Sequence, residues 1–330
     1  MKTGSTLFFS LILLVITSFY IAATLTGAVT VRAESHAERG FFNKGKGLEL
    51  PEDMSGDKAG FLRIPLPEGA GEENVSLVND IYDRKVVVSI TGADEDFYKQ
   101  NFFSGDMTGI DDVRYGYSDG VSFVELKTDG MKVPVTEFSK DSLFIKVEDP
   151  HDVYDRVIVI DAGHGGDDPG SVVYGIEEKD ITASVAKKLY NKIETGDNGT
   201  VAFMSVPEGA DISEEERAKF VDDLNTDLLI SLHTGADPDS RVTNGVKIDA
   251  SSGLVKDAET LSAAIQESCE QEDLGVSAEE VQGITTLTGV PYMRIKLGVI
   301  TNKYEAEKMT KTDYQEKVTD VIAAFINGKK

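Results

Sequence analysis

The sequence predicts an α/β domain with a mostly parallel sheet flanked by helices, preceded by a small all-β domain and an N-terminal membrane helix. Three observations predict this class. Strand-like and helix-like segments alternate from Tyr154 onward, short alternating apolar runs fill the region before it, and an uncharged segment lies near the start. The chain has 330 residues, enough for two domains of ordinary size. We therefore divide it into a membrane anchor or signal peptide, a flexible linker, a β-sandwich-like domain and an α/β domain: residues 1–33, 34–60, 61–150 and 151–330.

The first region contains a long apolar segment. The 23 residues from Leu7 to Val29 carry no charge, which is enough for a helix to cross the hydrocarbon core of a membrane. The alternative is a signal peptide cleaved after Ala33, although its apolar region would exceed the usual length of about 7–15 residues. In both cases we expect an exported chain, either anchored in the membrane through residues 7–29 or secreted.

Charge and composition describe the next region and exclude one class of partner. The formal net charge is −25, and so acidic a surface repels phosphate backbones, which excludes nucleic acid as a partner. Residues 34–60 are rich in glycine and charge and show no sustained apolar period, as is typical of a flexible linker.

Residues 61–150 predict the β domain. The runs RKVVVSITG, GVSFVELKTDG and DSLFIKVED alternate apolar and polar residues and are separated by glycine, aspartate and serine. This pattern favours a small β-sandwich that ends near Pro150.

The α/β domain begins with the apolar strand RVIVID, and the helical segment EKDITASVAKKLYNKIE follows it. TVAFMSV and TDLLISLH are predicted strands, and AETLSAAIQESC and YQEKVTDVIAAFI are predicted helices. Such alternation indicates a mostly parallel sheet, and ligands of such sheets bind at the carboxyl ends of the strands.

Two of the four histidines follow predicted strands. His164 lies in the glycine-rich turn after VIVID, and His233 ends LLISLH, so both imidazoles should project from one rim of the sheet. Glu178 begins the first helix, where its carboxylate can turn back toward that rim. Two histidines and one glutamate leave a fourth ligand position open, which is the composition of a catalytic zinc site. A phosphate loop is the alternative for the glycines, but GHGGDDPG fits neither dinucleotide-binding nor P-loop spacing.

Together, IVIDAGHGGDDPG, EEKD and DLLISLH resemble the zinc-dependent N-acetylmuramoyl-L-alanine amidases of bacterial cell walls, the amidase type 3 family, over about residues 154–330. The resemblance implies that His164, Glu178 and His233 bind Zn²⁺ and that zinc-activated water cleaves the amide between muramic acid and L-alanine in peptidoglycan. The β domain is similar to the wall-targeting domains that often precede such amidases. The chain would then face the cell wall, and a regulatory protein partner is compatible with this family.

One position departs from the family pattern at its catalytic residue. PYMRIKLGVITN aligns without a gap with P-A-V-L-V-E-x-G-F-x-S-N, and Lys296 takes the place of the glutamate that accepts the proton of the zinc-bound water. We expect Lys296 at the strand end, facing the metal cleft. A protonated lysine accepts no proton, so two function classes follow. One is a working zinc amidase with altered acid–base chemistry. The other is a zinc-retaining, weakly active or inactive relative that binds peptidoglycan or regulates a partner hydrolase.

Three smaller departures favour the second class. Gly235 stands where the family usually carries asparagine after the histidine, and Ser205 stands where a threonine–arginine pair is common. The segment RAKFVDD also lacks the usual alanine–asparagine pair.

Overall fold

The computed structural model describes residues 59–194, 199–207, 210–270, 272–277 and 283–328. The predicted membrane segment, residues 7–29, lies outside the described residues, as does nearly all of the predicted linker. Within the described part of the chain, no helix is both long enough and apolar enough to span a membrane. The chain divides between Asp149 and Pro150 into two compact units, which we call the β unit and the α/β unit.

The β unit contains two antiparallel four-stranded sheets. Its strands are β1 Leu62–Pro65, β2 Val75–Asp80, β3 Lys85–Thr91, β4 Ser104–Gly105, β5 Ile110–Ser118, β6 Val121–Thr128, β7 Val133–Ser139 and β8 Ser142–Glu148, with a short helix α1 at Phe97–Gln100 and a 3-10 turn at Glu72–Asn74. The strand orders are β4-β1-β8-β7 and β2-β3-β6-β5. Alternate residues of both sheets, among them Leu62, Ile145, Val88 and Leu126, enter one hydrophobic core, so the two sheets pack face to face. The wall-targeting role of this unit stays a prediction.

The α/β unit contains eight strands and seven helices among its described residues. The strands are β9 Arg156–Ala162, β10 Val172–Val173, β11 Ile176–Glu177, β12 Thr200–Met204, β13 Leu228–Gly235, β14 Val246–Ala250, β15 Asp273–Ser277 and β16 Tyr292–Val299. The helices are α2 Pro150–Val153, α3 Glu178–Glu194, α4 Glu214–Asp223, α5 Val255–Cys269, α6 Ile284–Leu287, α7 Lys303–Met309 and α8 Thr312–Asn327, with a 3-10 turn at Ser252–Leu254.

Six of these strands form a central sheet in the order β12-β9-β13-β16-β14-β15, and β10 and β11 form a separate hairpin. Neighbouring strands of the sheet are parallel except β14 and β16, which are antiparallel. The prediction of an α/β fold with a central sheet is confirmed. The sequence patterns did not reveal β14, β15 or the reversal of direction between β16 and β14.

The two faces of this sheet differ in polarity because successive strand residues point to opposite sides. One face is apolar: Ile160 of β9 and Ile230 of β13 share a core with α3, α5 and α8. The other face carries four polar residues that lie opposite one another in register, and we call them the polar row: Asp161, Ser231, Arg294 and Asp249.

Candidate metal centre

The three sequence-predicted ligands come together at one rim of the sheet. β9 and β13 are parallel neighbours, so their carboxyl ends meet there. His164 follows the end of β9 by two residues, His233 lies near the end of β13, and Glu178 is the first residue of α3. One ligand atom from each of these side chains lies within 4.8 Å of the other two. The fold therefore places two imidazole nitrogens and one carboxylate oxygen close enough together to hold one metal ion.

Glu178 lies between the two histidines and is only 3% exposed. Its Oε2 atom is 3.4 Å from His164 Nε2, and its Oε1 atom is 3.2 Å from His233 Nδ1. The backbone N–H of Ser171 donates to Oε2 at 3.1 Å, and that of Thr234 donates to Oε1 at 2.8 Å. Each carboxylate oxygen thus has one histidine and one main-chain donor as neighbours, which fixes its orientation.

Asp168 orients the first histidine. Its Oδ2 atom is 2.7 Å from His164 Nδ1, so a proton on Nδ1 is donated to Asp168 and Nε2 is left to face Glu178. The other oxygen of Asp168 accepts the N–H of Gly170 at 2.9 Å. Carboxylates often orient metal-binding histidines in this way. Asp168 was missed by sequence reasoning, and its position four residues after His164 in GHGGDDPG is the signal that was available.

Two glycines of this motif leave room for the imidazole rings. A Cβ atom at Gly163 would lie 2.3 Å from Cε1 of His233, and one at Gly170 would lie 2.5 Å from Cδ2 of His164. The backbone of His164 is itself left-handed, with φ of 66°. Glycine is therefore required at these two positions because any side chain would collide with a histidine ring. The centroids of the two histidine rings are 5.2 Å apart.

The protonation states follow from these contacts. The hydrogen bond with Glu178 raises the pKa of His164 to about 9 against the effect of burial, and Asp168 acts in the same direction. Burial alone would raise the pKa of Glu178, but hydrogen bonds with both histidines hold it well below its usual range. Burial lowers the pKa of His233. Without metal the site therefore holds a carboxylate, one protonated imidazole and one neutral imidazole near neutral pH.

Lys296 lies next to this site in the sheet, but not where we expected it. It pairs in register with His233, yet β16 continues to Val299, so Lys296 lies within the strand and not at its end. Its Nζ atom is 2.9 Å from Oδ2 of Asp249 on the neighbouring strand, and Asp249 is 1% exposed. Lys247 approaches the other oxygen of Asp249 at 3.6 Å. A lysine is tolerated inside this strand because a buried carboxylate pairs with it.

A cavity of about 170 Å³ adjoins the two histidines of the site. Its lining includes His164, His233, Asp161, Arg217 and Arg294. Sequence reasoning assigned no role to Asp161, Arg217 or Arg294, because they become neighbours only when β9, β16 and α4 pack together.

Asp161, one of the two buried carboxylates of the polar row, is hydrogen-bonded on both oxygens. Ser205 donates its hydroxyl to Oδ1 at 2.6 Å, and Ser231 donates to Oδ2 at 2.9 Å. Ser205, which departs from the family pattern, is therefore part of the hydrogen-bonded network beneath the site.

Two histidines at or just after the ends of neighbouring strands and one glutamate at a helix start thus form a group that could hold a metal ion. A family model described as N-acetylmuramoyl-L-alanine amidase matches residues 158–328, just over half of the chain. The chain belongs to this family of peptidoglycan amidases.

The chain is also similar to individual proteins of known sequence or structure. The uncharacterized protein YqiI of Bacillus subtilis (strain 168) is 29% identical over 179 residues, which cover 52% of this chain and 82% of YqiI. The germination-specific N-acetylmuramoyl-L-alanine amidase of Bacillus subtilis (strain 168) is 26% identical over 185 residues, 51% of this chain and 76% of that protein. Among solved structures, an N-acetylmuramoyl-L-alanine amidase from Clostridium difficile 630 aligns with a TM-score of 0.49 and 24% identity, over 52% of this chain and 94% of the other.

Proposed function

We propose that the α/β unit binds one Zn²⁺ ion through His164, Glu178 and His233 and hydrolyses the amide between muramic acid and L-alanine in peptidoglycan. The observation that carries this proposal is the convergence of the three ligand atoms within 4.8 Å of one another. Two nitrogens and one oxygen suit zinc, and three protein ligands leave a position for water or substrate.

A bound zinc ion supplies polarisation of the substrate carbonyl and a lowered pKa for bound water. The protein groups around it have separate tasks. Asp168 keeps Nε2 of His164 available as a ligand atom, and the N–H groups of Ser171 and Thr234 fix the Glu178 carboxylate. His164 would have to lose a proton to bind zinc, and its pKa is about 9 without metal, so zinc affinity should fall as the pH falls below that value.

The ion pair between Lys296 and Asp249 favours the second candidate function, a relative that keeps zinc and binds peptidoglycan with little or no turnover. An ammonium group paired with a buried carboxylate has no lone pair with which to accept a proton. The group that the family uses as its general base is thus replaced by a cation. A missing acid–base group costs about 10²–10⁴ in rate.

The two candidates are distinguished by incubating the full-length protein with purified peptidoglycan, with zinc and after chelation. The first function predicts zinc in the protein and release of new L-alanine amino termini, both lost after His233→Ala. Bound zinc with sedimentation on peptidoglycan, but without new amino termini, supports the second. Absence of bound zinc in the wild type would contradict both.

The predicted wall-targeting role of the β unit and the predicted anchor at residues 7–29 would both keep the α/β unit close to this substrate. Neither is needed for the zinc proposal. Cosedimentation of the full-length protein after zinc removal would show whether wall binding is independent of the metal.

A further inference from the structure

We propose that Arg217 is a positioning residue that fixes the backbone carrying His164 in its metal-binding geometry. This inference rests on the proposed zinc site but concerns a residue outside the ligand set. Arg217 belongs to α4, is 6% exposed, and extends from that helix to the loop after β9.

The guanidinium group uses four of its five N–H groups in contacts with the protein. Nε donates to the carbonyl of Ile212 at 3.0 Å, Nη1 to the carbonyl of Ala162 at 2.9 Å, and Nη2 to the carbonyl of His164 at 2.7 Å. Nη1 also lies 3.4 Å from Oδ1 of Asp161. With so many donors already used, Arg217 is better suited to fixing the loop than to binding substrate.

The two carbonyls on the loop lie on either side of the point where the chain leaves the sheet. Gly163 still donates its N–H to the carbonyl of Leu232 on β13 at 2.9 Å, and the next residue, His164, has a left-handed backbone. A non-glycine residue in that conformation is strained unless its surroundings stabilise it. Because Arg217 bonds the carbonyls of both Ala162 and His164, it stabilises the turn that directs the His164 ring toward Glu178.

Asp161 keeps the guanidinium in this position. It is 1% exposed, and the hydroxyl groups of Ser205 and Ser231 each donate to one of its oxygens. The carboxylate therefore cannot rotate freely, and it balances the charge of the buried Arg217. The chain of contacts runs from Ser205 and Ser231 through Asp161 and Arg217 to the main chain of His164.

The test compares Arg217→Lys with Arg156→Lys in the full-length protein. Lysine keeps the charge but cannot donate in three fixed directions from one plane. Arg156 is the matched control, because it also donates to a main-chain carbonyl, that of Ile326 at 2.9 Å, but from the opposite end of β9. Two quantities are measured: the Kd for zinc by competition with a chelating dye, and hydrogen exchange of the amides of residues 163–170 in metal-free protein.

We expect Arg217→Lys to raise the zinc Kd about 10–100-fold, as loss of an orienting group around a metal ligand typically does, and to speed exchange in the loop. Arg156→Lys should leave the zinc Kd and the exchange rates of these amides within twofold of the wild-type values. If Arg217→Lys does not fold, Asp161→Asn replaces it, with an expected rise in the zinc Kd and faster loop exchange.

Unchanged zinc Kd and unchanged exchange in the Arg217 or Asp161 variant would overturn the inference, as would equal effects in the Arg156 control. If the wild type itself binds no zinc, the proposed function fails, while the hydrogen-exchange comparison still decides the role of Arg217.

Discussion

At the residue scale, Lys296 cannot be considered apart from Asp249. Their side chains lie 2.9 Å apart on neighbouring strands, and Asp249 is buried. A glutamate at position 296 would therefore bring a second carboxylate to a buried carboxylate, and one of the two would take up a proton. Lys296, which departs from the family pattern, is thus coupled to Asp249, which the pattern does not include.

This coupling predicts that Lys296→Glu alone gives little gain in hydrolysis and destabilises the protein by about 3 kcal/mol, because it replaces the cation paired with the buried Asp249 by a like charge. The double variant Lys296→Glu with Asp249→Asn removes the like charge and should raise peptidoglycan hydrolysis by about 10²–10⁴ over wild type. Release of L-alanine amino termini and thermal unfolding measure the two effects.

Lys247→Glu is the matched control for this series, because Lys247 approaches the same Asp249 from β14. It should destabilise the protein without any gain in hydrolysis. A wild type that already cleaves peptidoglycan rapidly and is slowed in the double variant would contradict the prediction and make Lys296 part of an altered mechanism.

Gly163 carries a second prediction at this scale. In Gly163→Ala the new methyl group would lie 2.3 Å from Cε1 of His233, so the ring or the loop must shift. We expect the zinc Kd to rise at least about tenfold. Gly253→Ala is the control, since a Cβ atom there has no described heavy atom within 4 Å. Equal zinc binding in both variants would show that the loop adapts without cost.

Site residues could be predicted from the sequence where a short segment of the chain carries the signal. His164, Glu178 and His233 could be predicted to lie close together because strand ends and a helix start can be recognised from short patterns. Asp161 and Arg217 are 56 residues apart, and nothing within either segment indicates that they meet. The partner of Lys296 was missed for the same reason, because Asp249 lies on a strand that the periodicity did not reveal.

At the element scale, α4 begins with a capping box. The Ser213 hydroxyl accepts the N–H of Glu216, and the Glu216 carboxylate accepts the N–H of Ser213. The spacing of these two residues is a recognisable signal for the start of a helix. The helices and strands that were predicted, such as α3 and β9, are long or strongly apolar, whereas β14 and β15 have five residues each.

Removal of this cap should separate helix stability from site geometry. Ser213→Ala should lower the free energy of unfolding of the α/β unit by about 1 kcal/mol in chemical denaturation. The zinc Kd should stay within twofold of wild type, because the contacts of Arg217 with Ala162 and His164 do not involve the cap. Glu216→Gln keeps a hydrogen-bond acceptor at the same position, so it should lower the free energy of unfolding less than Ser213→Ala does. A Kd raised as far as in Arg217→Lys would mean that the helix, not the guanidinium, positions the loop.

At the scale of the whole molecule, the two units have separate hydrophobic cores. One core contains Leu126 and its neighbours in the β unit, and the other contains Leu189 and its neighbours in the α/β unit. Each core is formed within one side of the division at Asp149 and Pro150. The units should therefore unfold as two transitions in calorimetry.

Zinc should act on only one of these transitions. At a free concentration of 100 times its Kd, it should stabilise the α/β unit by about 2.7 kcal/mol and leave the β unit unchanged. Leu126→Ala and Leu189→Ala, both fully buried leucines, identify the transitions, because each should destabilise its own unit by about 2–5 kcal/mol. A single transition that responds to both variants and to zinc would contradict this assignment.

The parallel pairing of β9 with β13 also determines when a metal can act during folding. Asp161 and Ser231, which face each other across these strands, are 70 residues apart in the chain. Contacts of such sequence separation form slowly, so His164 and His233 become neighbours only after most of the central sheet has assembled. Zinc should therefore prolong the lifetime of the native state rather than hasten its formation. In stopped-flow experiments, we expect the unfolding rate to be lower with zinc than with a chelator, and the folding rate to be the same in both. Faster folding with zinc would indicate that the site forms early.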